Sequence, residues 1–389
     1  MSAQDPAATP AAPVVKSRVL QVERPQIVDK LSVNGAAVAQ EWHDALLAFT
    51  GKSTEAAAWQ ALGVVPNDVV GLKIEANGSA IMSTRAELIV AMAKSLHAAG
   101  IPYERIVVWD RDARFLAGTA YEKLTTGSAW SPDRPYRVAS VLPVEPGSPE
   151  TGFDPKLFVI NENAGRLIWG DYLFRGKSRD QVLKNIDTFA EDPKAGAKKD
   201  DAPASPSASS STSSSGDPVL PKGEIQEQVS TRSYVAKLVT QTCTKIVNVP
   251  VMIDHGGVGL GGCLSSLALG SVDNNRRFSQ EGVAGDPFIG ELLLKEVFKK
   301  KVILNVMDGL IAQYAGGPDF VPQFTHSIGC LYLSNDPVAI DSLVLARFEP
   351  WRVEAKVTPI GDLAKHIKGA AELGVGTSDP AKIDLIRLP

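Results

Sequence analysis

Two hydrophobic periodicities alternate along this chain. Asp68–Ala76, "DVVGLKIEA", is a short apolar run broken by one lysine, Lys73, and it reads as a buried strand. Residues 83–100, "STRAELIVAMAKSLHAAG", place Leu88, Ile89, Met92, Ala93 and Leu96 at the spacing of one helix face. Thr84 and Glu87 fit a capping box at its start, and Gly100 fits its stop. "RIVVWD", ending at Asp110, is the next strand, so the three segments predict a parallel strand–helix–strand unit.

The pattern recurs in the second half. "TRSYVAKLVTQT" predicts a helix, "KIVNVPVMI" a strand, and "DPFIGELLLKEVFKK" a helix capped by Asp286 with Pro287 in its first turn. "KVILNVMDGL" and "IGCLYLS" predict strands. "DPVAIDSLVLARF" predicts a helix starting at Asp336 and Pro337, and a helix near 361–373 and a strand "KIDLIRL" finish the chain. The fold class expected is α/β, a mostly parallel sheet with helices on both faces.

Glu191–Gly223 breaks the pattern. Its Ser/Ala/Pro/Gly composition cannot bury enough apolar area to offset ordering entropy, so a disordered insertion is expected there. The organisation expected is a flexible tail over 1–20, one part of the α/β domain over 21–190, the insertion over 191–223, and the second part over 224–389. A net charge of −4 with scattered basic residues gives no nucleic-acid surface; Lys299–Lys301 read as a solvated helix end. Cys243, Cys263 and Cys330 form no C-x-x-C pair, which argues against an iron–sulfur cluster, and Cys243 and Cys330 read as small core residues. No run is long enough to span a membrane. The Ala/Pro-rich amino terminus fits the start of a mature exported protein or an ordinary cytoplasmic tail, and both readings stay open.

In an open parallel sheet, ligands bind beyond the carboxyl ends of the strands. The polar residues predicted there are Lys73, Glu75 and Asn77; Asp110, Arg111 and Asp112; Asp254 and His255; Asp308; and Ser334, Asn335 and Asp336. His255 is the first candidate, as general base or metal ligand, because it follows a strand and opens a glycine-rich turn. Lys73 and Asp110 join it as candidate catalytic residues. Asp110, Asp254, His255 and Asp308 are a candidate set for a divalent metal. Asp341, an acid on a mostly apolar helix, needs a partner. The other histidines are weaker candidates: His43, His97 and His366 read as surface residues on amphipathic helices.

"GGVGLGG", Gly256–Gly262, fits neither the dinucleotide G-x-G-x-x-G nor a G-K-[ST] loop. Free amides at a helix start attract anions regardless of motif, so Gly257, Gly259, Gly261 and Gly262 are candidate ligand-binding positions. Asn77, Gly316 and Gly317 are further candidate ligand-binding positions, the second glycine turn forming another wall of the cleft.

"VGLKIEANGSAIMSTRAELIVAMAKSLHAAGIPYERIVVWDR", "IVNVPVMIDHGGVGLGGCLSSLALGSV", "MDGLIAQYAGGP" and "LSNDPVAIDSLVLARF" resemble, in order, the opening, central and closing elements of the domain of unknown function family 362 (DUF362). The resemblance spans roughly residues 65–350. Ser265 and Ser266 stand where many members carry Lys-Asn, and the ferredoxin-like cysteine clusters of other members are absent. Exported members are common, which favours the exported reading of the amino terminus. The first strand–helix–strand unit is also similar to the amino-terminal domain of lactate-racemase-like proteins. Taken together, the expectation is an enzyme acting on a small anionic or polar substrate, with divalent-metal assistance as an option. A non-catalytic extracytoplasmic protein that captures an anion or metal is the alternative, and a structural protein is the third reading.

Overall fold

The computed structural model describes residues 16–77, 79–122, 135–143, 150–160, 232–273, 275, 278 and 284–389. The expected insertion over 191–223 lies outside the described residues. In the first half, β1 (Ser17–Glu23) is followed by the short pair β2 (Val28–Asp29) and β3 (Ser32–Val33). Helices α1 (Gly35–Thr50) and α2 (Glu55–Ala61) come next, then β4 (Val70–Ile74), α3 (Ala86–Ala98), β5 (Ile106–Asp112), β6 (Arg137–Leu142) and β7 (Phe153–Ile160). The second half holds β8 (Arg232–Ala236), β9 (Lys245–Val249), β10 (Val251–His255), β11 (Gly259–Gly261), α4 (Cys263–Gly270), α5 (Phe288–Leu293) and α6 (Glu296–Lys301). It closes with β12 (Val302–Gln313), β13 (Thr325–Ser334), α7 (Pro337–Glu354), α8 (Lys365–Glu372) and β14 (Ile383–Leu388).

One sheet runs in the order β14-β1-β13-β12-β9-β4-β5-β6, with β10 and β11 attached beside β12. The pairings from β12 through β9, β4 and β5 to β6 are parallel, while β13 is antiparallel to both of its neighbours. Strands from both sides of the 191–223 segment are neighbours in this sheet. Strand alternation splits the core into two. Val70, Leu72, Ile74, Ile106 and Val108 pack against α1 and α3. Val107, Trp109, Ile246 and Met307 pack against α4, α5 and α7. The α/β reading with helices on both faces is therefore correct.

The order also fixes a switch point. From β4 the chain winds through β5 to β6 on one side. It then returns to β9 on the other side of β4 and winds away to β12. Neighbouring strands β4 and β9 therefore send their connections in opposite directions, the arrangement that opens a crevice beyond their carboxyl ends.

Several local expectations are corrected. The tail expected over 1–20 is already β1 from Ser17, whose core residues Val19 and Leu20 are buried between β13 and β14. "TRSYVAKLVTQT" is not a regular α-helix: it holds β8 and a single π-turn, because pairing with β7 overrides its local preference. Thr84 does not cap α3. Its hydroxyl accepts from the Glu75 amide and donates to the Val249 carbonyl, and so ties the loop after β4 to the end of β9. Asp286 does not cap α5 either; its carboxylate lies against Gly369 of α8. Asp336 does cap α7, accepting from the Ala339 amide at 3.0 Å. Among the described residues no helix is long and apolar enough to cross a membrane.

Candidate functional site

Lys73 faces away from α1 and α3, toward α4, and only 2% of its surface is exposed. Its ammonium lies 3.0 Å from Asp110 Oδ1 and donates to Ser266 Oγ at 3.0 Å. Asp110 lies near the end of the neighbouring strand β5. Its Oδ1 also accepts from the Arg111 amide at 2.7 Å, and its Oδ2 accepts from the Ala76 amide at 2.8 Å. Helix α4 comes so close that a Cβ on Gly270 would stand 2.6 Å from Lys73 Cε and 2.9 Å from Nζ. A glycine is needed there for close approach, not for backbone freedom.

Glu75 follows β4 at the same end of the sheet. Its Oε2 accepts from the Val251 amide at 3.3 Å, and a Cβ on Gly261 would stand 2.9 Å from Oε1. Burial pushes this carboxyl up to about 8, Lys73 pulls it down and Asp110 pushes it further up. Unlike Lys73 and Asp110, Glu75 keeps part of its surface accessible. Glu75 thus lies one residue beyond β4, at the β4–β9 switch point.

The polar line continues inside the sheet. Lys73 is in register with Asn248, and Asn248 with Asn305, both buried. Asn248 Nδ2 donates to Asn305 Oδ1 at 3.1 Å and to the Cys263 carbonyl at 2.8 Å. Sequence reasoning passed over both asparagines. The signal was available: each is a single polar residue inside an apolar run, as Lys73 is.

The other expected site residues do not gather here. Asp308 accepts from the Arg85 amide at 2.7 Å and the Leu310 amide at 3.1 Å, at the start of α3. Burial raises its carboxyl to about 6. Asp254 binds the second glycine turn, accepting from Gly317 at 2.7 Å and Gly316 at 3.1 Å, with Arg352 at 3.4 Å. Gly316 and Gly317 therefore hold an internal carboxylate. Asn77 binds its own loop through Ser83 and the Met82 carbonyl.

His255 uses Nδ1 to accept from the Gly257 and Val258 amides at 3.0 and 3.2 Å. Burial lowers its pKa, against the opposing charge of Asp254. The ring is then neutral with its proton on Nε2, so Nδ1 is closed to base catalysis or metal ligation. His366, expected at the surface, is 1% exposed. The reason is its placement two residues beyond Ala364, which packs against Gly259 of the glycine turn.

Most of the glycine turn is tied into the protein itself. Gly257 serves His255, Gly262 donates to Ser265 Oγ, and Gly259 and Gly261 pair with β10. The amides of Cys263 and Leu264, at the start of α4, donate to the two carboxylate oxygens of Asp341 at 2.7 and 2.9 Å. The anion that the turn was expected to attract is thus built into α7. A Cβ on Gly262 would stand within 2.4 Å of that carboxylate, which explains the glycine. Asp341→Ala is expected to lower stability by about 2 kcal/mol, the upper end for a lost helix cap, measured by urea unfolding. A change within about 0.5 kcal/mol would contradict the capping role.

Asp110, Asp254 and Asp308 each have both carboxylate oxygens engaged by amides or cations, so the expected metal set does not fit a metal. Among the described residues no group of three or more His, Cys, Asp or Glu side chains is arranged to hold one. No curated protein and no solved structure matches the chain. Residues 214–346, which include β9, the glycine turn, α4 and β12, match the family model described as Domain of unknown function (DUF362).

Proposed function

We propose that the protein is an enzyme acting on a small anionic or polar molecule bound in the β4–β9 crevice. One observation carries this reading: a buried Lys73–Asp110 pair and the partly exposed residue Glu75, electrostatically coupled to it, sit together at the switch point of the sheet. Lys73 supplies countercharge to the ligand, Asp110 fixes the ammonium, and Ser266 offers a hydroxyl between them and α4. His255 and Asp308 are not part of the proposal, and neither is a metal.

The alternative is a non-catalytic extracytoplasmic protein that captures an anion. The observation favouring it is that His255 Nδ1 already accepts from the Gly257 and Val258 amides, which takes that nitrogen out of use as a base. Mass spectrometry of small molecules released on denaturing the purified protein tests the shared site. A stoichiometric polar molecule is expected from the natural chain and not from folded Lys73→Met. Equal amounts from both would place the site elsewhere. Turnover of the released molecule then separates enzyme from binding protein.

A further inference from the structure

Four carboxyls among the described residues are pushed far above their usual range by burial: Glu41 and Glu75 to about 8, Asp341 to about 7 and Asp308 to about 6. Glu41 and Asp341 are 0% exposed and Asp308 is 1% exposed, so each is sealed from any ligand. Glu75 differs from them in keeping accessible surface. It also differs in its surroundings. The Val251 amide holds Oε2 from the β9 side of the switch point, and Gly261 leaves no room for a side chain beside Oε1. Lys73 and Asp110 lie behind it. The groups facing it are therefore one cation, one anion, an amide and the Ser266 hydroxyl.

Building on the crevice reading, we propose that Glu75, a partly exposed residue at the strand end, is the catalytic acid of this site, whose carboxyl meets an oxygen atom of the bound molecule and donates its proton to it. In that step the Glu75 O–H bond breaks and a new O–H bond forms on the ligand. The carboxylate left behind faces the Lys73 ammonium, which stabilises it, and water entering the crevice restores the proton. The substrate class that suits this chemistry is a small polar molecule presenting a carbonyl, carboxylate or phosphate oxygen. A donor with this affinity is charged with its proton at neutral pH and still able to release it.

A test that needs no known substrate uses a hydrophobic carbodiimide, which attacks protonated carboxyls, on the full-length chain, with labelled positions read by peptide mass mapping. Near neutral pH, Glu75 is expected to be labelled several-fold above every other carboxyl, because ordinary surface acids are ionised and Glu41, Asp308 and Asp341 are sealed. Near pH 10, about two units above its own pKa, Glu75 labelling should fall at least tenfold. Glu75→Gln should abolish the signal, and Lys73→Met should extend it to higher pH by removing the cation that favours the carboxylate. Glu75 left unlabelled near neutral pH, or labelled no more than surface acids, would overturn the assignment. This outcome is separate from failure of the crevice reading, which the released-molecule measurement decides without reference to the state of Glu75.

Discussion

Glu41→Met is expected to stabilise the protein by about 2–3 kcal/mol near neutral pH and by more at higher pH. Glu41 lies on α1 with 0% of its surface exposed, and neither carboxylate oxygen has a hydrogen-bond partner. Burial raises its pKa from 4.5 to about 8; Arg24 opposes the rise, while Asp308, Asp44 and Glu23 add to it. The folded chain therefore binds this proton more tightly than the unfolded chain. Stability is fully present below about pH 4.5 and is lost as pH rises through about 8, on the order of 4 kcal/mol for this group. Asp341 and Asp308 act in the same sense, in lower windows that end near 7 and 6. His366 acts oppositely. Burial, reinforced by His255, lowers it from 6.5 to about 3, so its contribution is present above about 6.5 and is lost as pH falls toward 3. Taken together these groups make stability fall as pH rises above about 4.5, with His366 only partly offsetting the fall below about 6.5. Urea unfolding across pH measures this directly. Glu41→Met should make the alkaline limb shallower and His366→Phe the acid limb. An unchanged alkaline slope in Glu41→Met would show that Glu41 has a partner in solution.

What the sequence made legible follows the range of the interactions. β4, α3, β5, β12 and α7 are set by local periodicity over contiguous residues, and all of them form. Lys73 and Asp110 were legible as a pair of strand-end residues because a charged group inside an apolar run must find a partner. The capping signals were less secure. Thr84 satisfied a local motif but found better use in binding Val249, which is 165 residues distant. The glycine turn was read as a ligand loop because its own residues contain no acceptor for the amides of Cys263 and Leu264. The acceptor is Asp341, 77 residues beyond Leu264, and only the packing of α7 on α4 brings them together. His255 was promoted by its position at a strand end. It was demoted by a two-residue detail, the return of the Gly257 amide onto Nδ1, which periodicity does not encode. Asn248 and Asn305 show the converse, a signal equal to that of Lys73 which goes unread when charge is the criterion.

The Lys73–Asp110 pair should respond unequally to removal of its two members. Asp110→Ala leaves the Lys73 ammonium at 2% exposure with Ser266 Oγ as its remaining named acceptor, and it strips the Ala76 and Arg111 amides of theirs. A buried ion that loses its partner costs about 3–5 kcal/mol, and the two amides place this variant at the upper end. Lys73→Met leaves Asp110 still bound by both amides and fills the ammonium stem's volume with an apolar chain. Its loss should be about 1–2 kcal/mol. The double variant Lys73→Met/Asp110→Leu should be more stable than Asp110→Ala alone, because no uncompensated charge remains in the interior. Denaturant midpoints of the three variants test this order. Equal losses for the two single variants would mean that water reaches Lys73 and screens it. The expected order instead identifies a pair whose charges folding alone does not require. Such a pair sits beside Glu75 at the switch point of the sheet, and under the proposed function its two charges are kept for the bound molecule.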